Sequence, residues 1–313
     1  MKTDRIYLLF LLFIFVSCNK MPEIDNNTML DGDQIFDISL VQPERFLISA
    51  RYPAPSALQK DIPVIIAAHG YTATTFEWDE LRDYADSTGT FYVSQVLLGG
   101  HGRSYEEFRK STWKDWQASI RDEYKKLSRL GYKNIYLAGS STGCPLIINL
   151  IQDGFFENLT KPKKIFLIDP IVISSNKTLT MVNALGPVLG YTSVELTDGE
   201  QGKWYVYRPY ETLKQLMKLI DLTRKELQSG IRLPQNTKLK TYKSTSDGSA
   251  DPVSAVLIYK GMKHADGTPV EVEMVDSKLH VFTRLRGRDG VTEKDKALQM
   301  KTFKEMEQAM IHP

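Results

Sequence analysis

Gly139-Ser140-Ser141-Thr142-Gly143 matches the pattern G-x-S-x-G. Ile135 to Ala138 before it reads as a strand, and Pro145 to Leu150 after it as a helix. A strand, a sharp glycine turn and a helix in that order project the central serine hydroxyl from the turn. The helix N-terminus behind it favours developing negative charge. Ser141 is therefore the candidate nucleophile for acyl transfer, provided that a base and an acid follow it in the chain. Glu271 to Val275 reads as the last strand, which puts His280 on the loop after it and makes it the candidate base. His264 sits in a polar run and reads as a solvated loop residue, and His312 lies almost at the tail. The acid should follow the preceding strand, Lys238 to Lys243, where Asp247 and Asp251 compete. Asp251 stands before Pro252 and an apolar helix, as an N-cap would. Asp247 is therefore preferred, with Asp251 as the alternative.

Two backbone amides should receive the oxyanion of the tetrahedral intermediate. One follows the nucleophile and belongs to Thr142. The other lies after an apolar strand, Pro63 to Ala68, in His69-Gly70-Tyr71-Thr72, and belongs to Tyr71. His69 itself reads as structural, because the base is expected after the nucleophile.

The elements that hold these residues alternate. Continuous apolar runs at Pro63–Ala68, Phe91–Leu98, Asn134–Ala138 and Lys164–Ile168 suit strands buried on both faces of a parallel sheet. Ile35–Leu40 and Arg45–Tyr52 read as a preceding strand pair, which makes Pro63–Ala68 the third strand. A helix is expected from an N-cap at Ser111, with Trp113, Trp116, Ile120, Tyr124 and Leu127 on its apolar stripe and Gly131 at its end. Strands alternating with helices predict an α/β fold with a mostly parallel central sheet and helices on both faces. Between Asp169 and Gln235 no buried strand is evident, and such a stretch is too long for a simple crossover. It reads as a small helical cap insertion over residues 170–235, carrying Trp204, Tyr205, Tyr207 and Tyr210. Segments 34–169 and 236–313 then form the core.

The chain has 313 residues, 42% hydrophobic and 25% charged, with a formal net charge of +2. That composition is globular, and the balance of charge gives no basic stripe for nucleic acid. Lys2 and Arg5 precede an eleven-residue apolar run, Ile6 to Val16, which is too short to span a bilayer and suits a signal-peptide core. Val16-Ser17-Cys18 resembles the end of a bacterial lipobox. That resemblance implies a lipoprotein signal over residues 1–17, a lipidated Cys18, a polar tether over 18–33 and a lipid anchor in the bacterial cell envelope. Cys144 is the only other cysteine, so a lipidated Cys18 leaves no disulfide within the chain.

From about residue 45 to 310 the chain resembles the carboxylesterase and monoacylglycerol lipase branch of the α/β-hydrolases. His69-Gly70-Tyr71-Thr72 looks like that branch's H-G-[FY]-T loop, and Leu98 to Ser104 its L-x-G-H-G-x-S loop after the fourth strand. Trp113-Lys114-Asp115-Trp116 is similar to its W-x-D-W helix start, and Ser277 to Val281 resembles the S-G-H-V around its base. Cys144 replaces the usual glycine after the elbow, and the acid loop departs from the usual D-x-x-V. The resemblance implies the α/β-hydrolase fold, a small helical cap, no cofactor or metal, and a small-molecule ester as substrate. The rivals are a peptidase or amidase using the same triad, and a degenerate hydrolase serving as a binding module.

Overall fold

The structure is a computed structural model that describes residues 21, 22, 24, 37–175 and 190–312. The apolar run 6–16, Cys18 and nearly all of the 18–33 tether lie outside the described residues. No helix among the described residues is long and apolar enough to cross a membrane.

The strands in chain order are β1 (Val64–Ala68), β2 (Tyr92–Val96), β3 (Ile135–Ser140), β4 (Lys164–Ile168), β5 (Tyr191–Ser193), β6 (Tyr207–Pro209), β7 (Ile231–Arg232), β8 (Lys238–Ser244), β9 (Met262–Lys263) and β10 (Glu271–Val275). Six of them form one sheet in the order β10-β8-β4-β3-β1-β2, and every pairing in it is parallel. The helices are α1 (Ile48–Arg51), α2 (Ala57–Asp61), α3 (Asp79–Thr88), α4 (Tyr105–Lys110), α5 (Trp113–Leu130), α6 (Gly143–Gln152), α7 (Tyr210–Ser229), α8 (Val253–Gly261) and α9 (Glu293–Ile311).

The apolar runs are continuous because both faces of the sheet are covered. Val64, Ile66, Ala68, Leu137, Ile165 and Leu167 point to one face, where they meet Trp116, Ile120 and Tyr124 of α5, Ile147 of α6 and Leu216, Leu219 and Ile220 of α7. Ile65, Ala67, Tyr136, Ala138, Phe166 and Ile168 alternate to the other face, against Trp78, Leu81 of α3 and Phe303 and Met306 of α9. This is the α/β-hydrolase fold. The sheet runs outward from β1 in one direction and from β3 in the other, and the loops at the carboxyl ends of the strands beside that reversal are where a ligand crevice forms.

Several expectations are corrected. Residues 45–52 are not a strand. Nor are the described residues of 35–40: Ile38–Leu40 is a short 3₁₀ turn, followed by a second at Pro43–Arg45 and then by α1. The amides of Ile48 and Ser49 donate to the Ser94 hydroxyl and the Glu123 carboxylate, so side chains supply the acceptors that a neighbouring strand would have given. Among the described residues β1 is therefore the first strand of the sheet, not the third. Ser111 is the C-cap of α4, and Thr112 is the N-cap of α5, in a reciprocal capping box with Asp115.

Of the stretch 170–235, residues 176–189 lie outside the described residues. The rest contains the β5–β6 hairpin and the twenty-residue α7. Helix α7 packs into the same core as the sheet. The hairpin end is tied down where the Tyr205 amide donates to the Thr72 carbonyl at 3.0 Å.

Candidate active site

Ser141 sits at the turn between β3 and α6 with φ +48°, the left-handed region that a side chain disfavours. Such strain persists only where the surroundings enforce it. Here the two pattern glycines let the turn close. A Cβ on Gly139 would stand 2.7 Å from the Gly143 carbonyl carbon, and one on Gly143 would stand 2.3 Å from the Ala68 carbonyl oxygen. The Ser141 amide donates to the Ile168 carbonyl, which fastens the turn to the end of β4.

The loop after β1 lies directly alongside. A Cβ on Gly70 would stand 3.1 Å from the Ser141 Cβ. Among the described residues, neither the Tyr71 nor the Thr142 amide donates to another protein group, and Thr142 is the N-cap of the ten-residue α6. The Tyr71 side chain turns away to bond Thr212 of α7 at 2.6 Å, where burial pushes its phenol well up. Buried Glu77 fastens this loop to the elbow, accepting from the Gly70 amide at 2.8 Å and from the Ser140 hydroxyl.

His69 takes no part in proton transfer as placed. Its Nδ1 bonds the Gly70 carbonyl at 2.8 Å and its Nε2 accepts from the Leu98 amide at 3.0 Å. Burial pulls its pKa down, against the pull of Glu77. His101 is likewise buried, held among Phe108, Trp116 and Tyr205, and accepts from the Thr72 amide at 3.3 Å. Burial pulls it far down, so both rings are neutral struts.

At the other side of β4 the two downstream candidates meet. His280 Nδ1 donates to Asp247 Oδ2 at 2.7 Å, and His280 keeps a quarter of its side chain exposed. Asp247 is buried and also accepts the Ser249 and Ala250 amides. Burial pushes its carboxyl up, but hydrogen bonds from His280 and Lys243 more than offset this and hold it well below the usual carboxylate range. Asp251 is elsewhere, with its carboxylate on the Val253 amide at the start of α8. His264 is bonded to Thr268 in an exposed turn. Segment 280–282 is fixed to β4 by the Phe282 amide, which donates to Asp169. Ser141 and His280 thus both hang from Ile168–Asp169 at the carboxyl end of β4.

The sequence reading missed Glu77, His101, Asp169 and Lys243. The signal for the last two was a charge ending an otherwise buried strand. Asp169 follows Ile165–Ile168 and has φ +45°, and Lys243 is fully buried within β8. The aromatic patch divides. Tyr205 is core, stacked on Phe108 at 4.2 Å with its hydroxyl on the 100–103 loop. Trp204 is half-buried, edge-on to Phe76 and under the Arg284 guanidinium at 4.5 Å. A separate groove lined by Phe166, Lys240, Tyr242, Lys301 and Glu305 contains none of the site residues.

No profile of a known protein family matches the chain. A thermostable monoacylglycerol lipase of Bacillus sp. (strain H-257) is 29% identical over 110 residues, 34% of this chain and 43% of the relative. The match therefore spans less than half of the relative's length. Among solved structures, one from work on the metagenome-derived lipolytic enzymes LipS and LipT superposes with a TM-score of 0.63 at 17% identity, covering 79% of this chain and 94% of the other. A soluble variant of Saccharomyces cerevisiae monoglyceride lipase, in complex with a substrate analogue, gives 0.62 at 13% identity, covering 82% and 88%. The monoacylglycerol lipase of Paleococcus ferrophilus gives 0.56 at 12% identity, covering 80% and 96%.

Proposed function

We propose that this α/β-hydrolase-fold chain is a serine hydrolase that cleaves carboxylic esters. Ser141 is its nucleophile, His280 its base and Asp247 its acid. The observation that carries the reading is a strained serine and an Asp247–His280 pair fixed to the same strand end, flanked by two amides with no acceptor among the described residues. The likeness to lipases and esterases supports it.

In this mechanism Ser141 Oγ attacks the ester carbonyl while His280 Nε2 takes its proton. Asp247 holds the Nδ1–H tautomer and stabilises the imidazolium. The Tyr71 and Thr142 amides receive the oxyanion. The imidazolium then protonates the leaving alcohol, and water, deprotonated by His280, releases the acid from Ser141.

Because α7 packs into the core, only the part of 170–235 that precedes it acts in this reading as a small cap, with Trp204 at the mouth. A small cap encloses few methylenes, each worth about 0.8 kcal/mol, so short to medium acyl esters or monoacylglycerol-like substrates are expected. Ser141→Ala should leave only about a thousandfold catalysis over water. The check is kcat/KM across nitrophenyl esters from acetate to palmitate, for wild type, Ser141→Ala and Trp204→Ala. Wild-type rates in a folded Ser141→Ala protein would refute the nucleophile. Cleavage of amides but not esters would move the chain to the peptidase reading.

The lipobox-like Val16-Ser17-Cys18 motivates a second proposal, that the mature chain begins at a diacylglyceryl Cys18 and is anchored in the cell envelope. Intact mass of the membrane fraction should show the lipid, and a soluble chain with a different N-terminus would overturn it.

A further inference from the structure

Asp169, Asp247 and His280 bring ligand atoms within 4.8 Å of one another, a grouping that resembles an empty cation site. A cation is already built into it. The Lys243 ammonium, with none of its side chain exposed, lies 2.5 Å from Asp247 Oδ2 and 3.2 Å from Asp169 Oδ1. The oxygen that Lys243 touches on Asp247 is the one that accepts from His280. A fully buried lysine is costly unless it is paired, and this one bridges two carboxylates that would otherwise repel each other across a dry gap.

We propose that Lys243 is a positioning residue and internal counter-ion that keeps Asp169 and Asp247 ionised together and sets the pH at which His280 becomes a working base. The proposal rests on the triad reading above. Two carboxylates and one ammonium leave the cluster with one net negative charge beside a neutral imidazole. Lys243 also draws on the Asp247 oxygen that would otherwise serve His280 alone. By offsetting one of the two carboxylate charges and by drawing on that oxygen, the ammonium disfavours the imidazolium and extends activity toward acid. Asp169 anchors the arrangement, because it also accepts the Ser244 amide at 2.7 Å, the Ser244 hydroxyl at 3.1 Å and the Phe282 amide at 3.3 Å.

The other charged or titratable groups around the cluster do not duplicate this role. Cys144 of α6 faces it as a thiol whose pKa burial pushes far up. Arg288, on the chain beyond His280, donates to the His280 and Val281 carbonyls rather than to a carboxylate. Burial and the neighbouring Arg284 pull it down, and Glu200, Glu77 and Asp169 pull it back up. Arg284 itself pairs with Glu200 at 2.7 Å.

The test is the pH profile of kcat/KM on an uncharged ester for wild type, Ser141→Ala, Lys243→Met, Asp169→Asn and the Lys243→Met/Asp169→Asn double variant. Removing the ammonium should move the acidic limb up by about one pH unit, a roughly tenfold loss of rate below it. Asp169→Asn keeps the shape and one acceptor oxygen, enough for the Ser244 amide or the Phe282 amide but not both, and should move the limb down. The double variant restores the net charge and should return the limb close to wild type. If Lys243→Met does not fold, the downward shift of Asp169→Asn decides alone. Acidic limbs that superimpose on wild type, with Ser141→Ala inactive, would overturn the proposal. An active Ser141→Ala would instead remove the triad reading beneath it.

Discussion

Strand β8 carries two lysines three residues apart that live in opposite electrostatic worlds. Lys240 faces the α9 side, with 17% of its side chain exposed, and shares Glu273 and Glu305 at 2.8 Å each with Lys301 and the Tyr242 hydroxyl nearby. Lys243, one residue before the end of the same strand, has no exposure at all and lies between Asp169 and Asp247. The outer network is redundant and partly wet, so the loss of one partner leaves others and water. The inner cluster has no spare acceptor or solvent, and each of its charges is needed to balance the rest. An ion pair's worth therefore depends on what replaces it when it is broken, and in the dry cluster nothing does.

The largest expected effect comes from breaking each cluster at one carboxylate. Asp247→Asn leaves the site's shape but cannot hold the His280 tautomer, so kcat should fall by about ten-thousandfold. Glu305→Gln on the outer network should leave kcat within about twofold and cost at most about 1 kcal/mol of stability. Asp251→Ala, which removes only the contact to the Val253 amide, should cost about 1 kcal/mol and leave kcat alone. Steady-state kinetics with urea titration of the three variants decides. An Asp251→Ala enzyme with lost turnover and an Asp247→Asn enzyme without it would reverse the choice of acid.

What the sequence made legible follows the same division between repeated patterns and isolated charges. The strand over Lys164–Ile168 is found with the boundaries its apolar run gives, because burial on both faces leaves a continuous apolar trace. The elbow was legible because Gly139 against Gly143 and Gly143 against Ala68 leave no room for a side chain, which shows as G-x-S-x-G. The Asp247–His280 pair was reachable from strand-end positions alone. Residues 45–52 were misread because Phe46 and Ile48 are buried at alternate positions in a chain that makes no ladder and bonds side chains instead. Glu77 and His101 were not legible, since their roles come from loops that meet only in the folded chain, whereas Asp169 and Lys243 left a trace as charges at or near the ends of buried strands. Glu77 lies 63 residues from the Ser140 it accepts from, and no local spacing encodes that meeting.

The last expected effect, gradual in pH and not a loss of turnover, separates the interior from the surface by acid. His69 and His101 have pKa values pulled below the ordinary histidine range by burial. In the unfolded chain they bind protons below about pH 6.5, while the folded chain keeps them neutral to lower pH. The unfolded state then holds more protons, so stability falls as pH drops from about 6.5, by at most about 1.4 kcal/mol per pH unit for each ring. Asp247 adds a later stage. Its carboxyl is held well below the usual range, so its contribution is complete above about pH 5 and is lost as pH falls through and below about 4. Glu273 and Glu305 are also lowered: burial pushes each carboxyl up, but lysine partners more than offset it, with the Tyr242 hydroxyl helping at Glu305. Their share is small because about a third of each side chain is exposed and salt screens it. Urea midpoints from pH 7.5 to 3.5, at low and high salt, should show two declines. The first should be insensitive to salt and flattened in a His101→Gln variant. A midpoint that stays level between pH 6.5 and 5 in the wild type would mean that the two buried rings titrate as they do in water, and the account of them as neutral struts would fail.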